Sequence, residues 1–124
     1  MKNAVIYARH LTYRKNEPNI DEQIKICKDF ANENEFEITD CYTDCFDEKK
    51  LVYPAFEQLN SKSRKEIPNA IIVYSIVALG RNSQKTRNWM NSLHKKGIEI
   101  YFVDYGKSED GHILRLLEEY RRNL

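Results

Sequence analysis

The chain is 124 residues long, 41% hydrophobic and 31% charged, a size that fits one globular domain around a single core and excludes a multidomain enzyme. Twenty Lys and Arg against nineteen Asp and Glu leave a net charge of +1, which excludes a globally basic nucleic-acid binder. The charge is lopsided, however: residues 17–48 hold eleven acids against two lysines, and residues 62–96 hold eight bases against Glu66 alone.

No apolar run approaches the length of a membrane span and the first residues lack the sections of a signal peptide, so a cytoplasmic protein without membrane association is expected. Cys27, Cys41 and Cys45 are odd in number and irregularly spaced, which predicts free thiols. His10, His94 and His112 lie far apart without paired ligand spacing, so no metal site is expected around Cys41 and Cys45. No Gly-rich phosphate loop is present, and no cofactor is expected.

Residues 4–8 form a short apolar, β-branched run, the pattern of a strand buried on both faces. Beyond Pro18, the residues Ile20, Ile24, Cys27 and Ala31 recur at helical spacing with Phe30 beside them, and Asn19 stands ready to cap a helix over 19–34. From Phe36 the period changes to two: Phe36, Ile38, Asp40, Tyr42 and Asp44 alternate with Glu37, Thr39, Cys41 and Thr43, predicting a second strand.

Pro54 opens a short helix whose buried stripe is Ala55, Phe56 and Leu59 and which ends before Pro68. Residues 70–77 are the most continuous β-branched run and predict a central parallel strand. Asn82 or Ser83 caps a helix to about Lys96, with Trp89, Met90 and Leu93 inward and Gly97 as its stop. Residues 98–103 supply a fourth strand. A terminal amphipathic helix follows, with Ile113, Leu116, Leu117 and Tyr120 on one stripe. This alternation implies an α/β fold of three layers, with a mostly parallel sheet of four to five strands in flavodoxin-like order and loops gathered at the strands' carboxyl ends.

Tyr7-Ala8-Arg9 directly after the first strand, residues 19–23 (Asn-Ile-Asp-Glu-Gln) heading the first helix, and Tyr53-Pro54-Ala55-Phe56 at the second resemble the catalytic domain of serine recombinases. Val73-Tyr74, Leu79-Gly80-Arg81 and the stretch from Trp89 to Gly97 continue the resemblance in the order of the resolvase and invertase domain. It spans roughly residues 3–106, rests on several short matches in correct order, and implies a resolvase-like domain over 1–106. Residues 107–124 would then start a subunit-contact helix, with Ile113, Leu116, Leu117 and Tyr120 as candidate contacts.

In that family a serine after the first strand attacks a DNA phosphodiester, and arginines stabilise the charge that gathers on the phosphorus oxygens. The resemblance implies that Leu11 occupies the nucleophile position, which leaves it without a nucleophilic atom. Tyr53, Val77 and Ala78 likewise stand where the family carries polar catalytic groups, whereas Arg9, Gln23, Asp44 and Arg81 keep the family's residue type. The expected function is therefore that of a catalytically silent recombinase-family domain in site-specific DNA recombination. It would act in a homo-oligomer, or in a hetero-oligomer with an active recombinase.

Two alternatives stand beside it. Thr12, next to Leu11, is the candidate for a displaced nucleophile in an active fragment, although a one-residue shift redirects the side chain. An unrelated flavodoxin-like binding domain has the same order of elements. Arg9 and Arg81 are candidate phosphate ligands. Lys85 and Arg87, with Lys95 and Lys96, are candidates for weak contact with a DNA backbone. His10, beside the former nucleophile position, is expected to be an ordinary loop histidine.

Overall fold

In a computed structural model, residues 2–11, 18–46, 54–61, 69–75, 83–104 and 106–107 are described. In chain order the elements are β1 (Lys2–Leu11), α1 (Ile20–Glu33), β2 (Phe36–Phe46), α2 (Pro54–Ser61), β3 (Ala70–Val73), α3 (Ser83–Lys95), β4 (Glu99–Phe102) and β5 (Gly106–Lys107). The sheet runs β2-β1-β3-β4-β5; the first four strands are parallel, and the two-residue β5 pairs antiparallel with β4. This is the α/β order expected from the sequence. The predicted terminal helix, with Ile113, Leu116, Leu117 and Tyr120, lies outside the described residues.

Helix boundaries follow local chemistry. The Asn19 side chain accepts a hydrogen bond from the Glu22 amide at 2.9 Å and so closes the start of α1. At the far end of α3, Gly97 takes φ 78° and its amide donates to the His94 carbonyl, while the Ile98 amide donates to that of Leu93. That pair of bonds is the Schellman closure, which favours glycine because a left-handed residue without Cβ has no clash to relieve. Its accompanying apolar contact is present, since Leu93 and Ile98 are buried in the same cluster.

Two cores flank the sheet. On one face α1 buries Cys27 and Ala31 against Ala4, Ile6, Phe36, Ala70 and Ile72. On the other, α2 and α3 bury Phe56, Leu59, Trp89, Met90 and Leu93 against Val5, Tyr7, Tyr42, Ile71, Val73, Ile100 and Phe102. β3, completely buried on both faces as its sequence implied, is the sheet's centre. It ends at Val73, shorter than the expected run over residues 70–77: Tyr74 and Ser75 have left the ladder.

β2 departs from its simple alternation. Ala4 pairs with Ile38 but Val5 pairs with Asp40, so β2 carries one extra residue, Thr39, whose hydroxyl donates to the Ala4 carbonyl at 3.4 Å. The bulge exchanges faces. Phe36 and Ile38 pack on the α1 side, and beyond the bulge Cys41 takes that side while Tyr42 turns to α2 and α3.

Candidate active site

Crossovers from β1 to β2 and from β3 to β4 use helices on opposite faces, so the strand order reverses between β1 and β3. The crevice at the carboxyl ends there is where this class of fold places ligands. Arg9, His10 and Leu11 end β1 at this point.

Beyond the bulge, Arg9 lies beside Asp44 in register. Both are buried, at 3% and 4% exposure, and Tyr7 below them is fully buried. The Tyr7 hydroxyl donates to Asp44 Oδ2 at 2.6 Å and accepts from Arg9 Nε at 2.9 Å. Burial, ahead of the opposing influence of Arg9, raises the tyrosine well above its ordinary pKa and keeps the phenol protonated.

Asp44 also closes α2. Pro54 has no N–H to offer at the first helical position, and the next two amides, Ala55 and Phe56, donate to Asp44 Oδ1 and Oδ2 at 2.9 and 3.0 Å. A carboxylate on β2 thus serves as the cap of a helix ten residues further on, and its three donors offset the cost of burying the charge. The Arg9 guanidinium lies 4.8 Å from the Phe56 ring centre and 5.4 Å from that of Tyr7. Phe56 in turn stacks on Trp89 at 4.6 Å. The retained arginine is thus seated on two aromatic rings, with little surface open to a phosphate.

Gln23 acts from the opposite helix. Its amide pairs with the Arg9 backbone in both directions, accepting from the amide at 3.3 Å and donating to the carbonyl at 2.9 Å, and it donates to the Pro18 carbonyl as well. Although polar, it is fully buried, and it fixes the start of α1 to the end of β1. Of the residues singled out from the sequence, the fold therefore unites Arg9, Gln23 and Asp44.

Leu11 ends β1 opposite Phe46. The structure does not describe its side chain or that of Lys85, and Thr12, Tyr53, Val77, Ala78 and Arg81 lie outside the described residues. Arg87, expected on an open face of α3, is only partly exposed; its Nε is buried without a hydrogen-bond partner among the described residues. Two features had no sequence signal. Tyr7 was legible as part of a motif but not as the bridge between Arg9 and Asp44. Ser75, after β3, is buried and hydrogen-bonded to the Asp104 side chain after β4. No cluster of metal-ligating side chains and no helix long and apolar enough to cross a membrane occurs among the described residues.

Fold and site define a resolvase-type α/β domain, and the comparisons agree. The family model for the resolvase N-terminal domain matches residues 4–123, and the chain belongs to that family, the serine recombinases of site-specific recombination. The N-terminal catalytic domain of TP901-1 integrase is 24% identical, with 98% of each chain covered and a TM-score of 0.76. A resolvase-family site-specific recombinase from Streptococcus pneumoniae is 19% identical over 99% of this chain and 87% of its own, with a TM-score of 0.73. The C-terminal catalytic domain of ISC1926 TnpA, an IS607-like serine recombinase, is 15% identical over 95% of this chain and 79% of its own, with a TM-score of 0.65. No curated protein matches the sequence significantly.

Proposed function

We propose that this chain is a catalytically silent serine-recombinase domain that acts in DNA recombination through contacts with other subunits or with DNA-bound recombinase. The observation that carries the reading is Arg9, 3% exposed and seated on Tyr7 and Phe56, at the end of a strand that finishes in Leu11. Phosphoryl transfer through a protein hydroxyl needs a nucleophile and guanidinium groups open to the phosphorus oxygens. Here the position matched to the nucleophile has no hydroxyl, and the adjacent arginine holds the scaffold together. Tyr7, Arg9, Gln23 and Asp44 act as positioning residues that fix the carboxyl ends of β1 and β2.

The division into a resolvase-like body over 1–106 and a subunit-contact segment over 107–124 belongs to the same proposal, with Ile113, Leu116, Leu117 and Tyr120 supplying the contacts. DNA contact is secondary and falls to Arg81, Lys85, Lys95 and Lys96, in the cytoplasm. The experiment is incubation with supercoiled DNA bearing a resolvase-type site, followed by denaturing electrophoresis, with an active family member as control. No covalent protein–DNA adduct is expected. An adduct overturns the proposal, and its loss in Thr12→Ala would identify a displaced nucleophile. Strictly monomeric behaviour at high concentration, together with no association with the active control, would overturn the subunit-contact role.

A further inference from the structure

A cavity of about 500 Å³, within the range of small-ligand pockets, is lined by Lys2, Asn34, Glu35, Phe36 and Tyr101. It opens at the amino ends of β1 and β2, the end of the sheet away from the crevice. Its apolar wall is aromatic. The Phe36 and Tyr101 rings meet edge to face at 5.1 Å, and Phe30 backs Tyr101 at 6.0 Å. Phe36 and Tyr101 reach each other across the α1 face because β1 and β3, the strands between them, carry only the methyl groups of Ala4 and Ala70 there.

The charges around this cavity do not balance. Lys2 Nζ pairs with Glu99 Oε1 at 3.2 Å and the Tyr101 hydroxyl donates to Glu99 Oε2, so the lysine charge is already met. Asn34 donates through Nδ2 to the Phe30 carbonyl at 2.8 Å. Glu35 is different: its exposed carboxylate makes no hydrogen bond or ion pair among the described residues. It also stands at φ 61°, a conformation that costs free energy to any residue with a Cβ. A charged side chain kept at such a position, unpaired and on the wall of a cavity, marks a place for a ligand. An anion would have to displace Glu99 from Lys2, and a metal ion would find a single unengaged carboxylate. A carboxylate beside partly exposed aromatic rings suits an organic cation. Guanidinium fits best, because its planar fork takes both carboxylate oxygens while its faces lie on aromatic rings.

We propose that this cavity binds an alkylguanidinium cation, with Glu35 as its counter-ion and Phe36 and Tyr101 as the apolar surface against which the alkyl chain and the guanidinium plane rest. An arginine side chain of another protein and a free guanidine share this chemistry. The site lies at the opposite end of the sheet from Arg9 and Leu11, so the inference does not depend on whether the domain is catalytically silent.

The test is an NMR titration of the whole, isotope-labelled chain with butylguanidinium chloride at neutral pH and low salt, with butylurea as the neutral molecule of the same shape. The expected result is saturable amide shifts at Lys2, Glu35 and Tyr101 with the cation and none that saturate with butylurea. Binding should be about tenfold weaker in Glu35→Gln, the scale of one charge-assisted pair. Glu35 is exposed, so this variant keeps the fold, and its own spectrum verifies that. A second arm uses a capped Gly-Arg-Gly peptide: binding as tight as that of butylguanidinium assigns the group to a protein partner, and binding of the small cation alone assigns it to a free guanidine. Absence of saturation with butylguanidinium, equal saturation by butylurea, unchanged affinity in Glu35→Gln, or shifts centred on Arg9 and Asp44 overturns the proposal.

Discussion

Glu35 follows the Asn34 cap of α1 with φ 61°, the left-handed conformation that Gly97 adopts after α3. A side chain with Cβ pays for that conformation and glycine does not, so Glu35→Gly should stabilise the fold by about 0.5–1 kcal/mol in urea denaturation. A midpoint unchanged or lowered would mean that the Glu35 side chain contributes as much as its backbone costs. Tyr7 presents the opposite case. Its hydroxyl is buried between a carboxylate and a guanidinium, and Tyr7→Phe leaves both short of a partner. The expected loss is about 1–3 kcal/mol, read from the same denaturation curves. Asn19 was legible as a cap because capping is a local matter of one side chain and the next amides. Tyr7 was not, because its two partners come from β1 and β2 together.

α2, with eight residues, is too short to be stable by itself and depends on its cap and on the burial of Phe56 and Leu59. Asp44→Ala removes the acceptor of two amides in a buried place. It should cost at least about 2 kcal/mol and abolish hydrogen-exchange protection at Ala55 and Phe56, with a smaller effect on β3. Equal protection in the variant would show that α2 finds another cap. The helix itself was legible from Pro54 and its apolar stripe. The identity of its cap was not, because Asp44 is distant in sequence and faces α2 only after the β2 bulge. Uniform alternation would put Phe36, Ile38, Tyr42 and Asp44 on a single face; Thr39 divides them between two.

Across the whole molecule, alkaline stability follows from groups that the fold holds protonated. Cys27 is pushed up to about 12 and Tyr7 further from its ordinary value, both chiefly by burial. Tyr101 also rises to about 12, through burial and its hydrogen bond to Glu99. Each folded pKa exceeds its unfolded value, so the native state binds more protons in the alkaline range. Their stabilising contribution is intact below the unfolded pKa values and is lost as pH climbs past them. The urea midpoint should decline from about pH 9, with each fully buried group adding a slope of at most about 1.4 kcal/mol per pH unit. Cys27→Ala should remove the onset of that decline and Tyr7→Phe its steeper upper part, beyond any uniform loss of stability. Identical pH profiles in the variants would contradict the assignment.

The amino-acid sequence by itself determined the order and kind of the elements from β1 to β4, the caps at Asn19 and Gly97, and the family to which the chain belongs. These are carried by periodicity, capping residues and short motifs that act between near neighbours. Only the tertiary structure decided that Arg9 is enclosed by Tyr7 and Phe56, that Gln23 ties α1 to the end of β1, and that Asp44 closes α2. Each joins elements that are separate along the chain, and for Asp44 it rests on the register of β2 against β1. A single extra residue at Thr39 sets that register, and no local preference in β2 announces it.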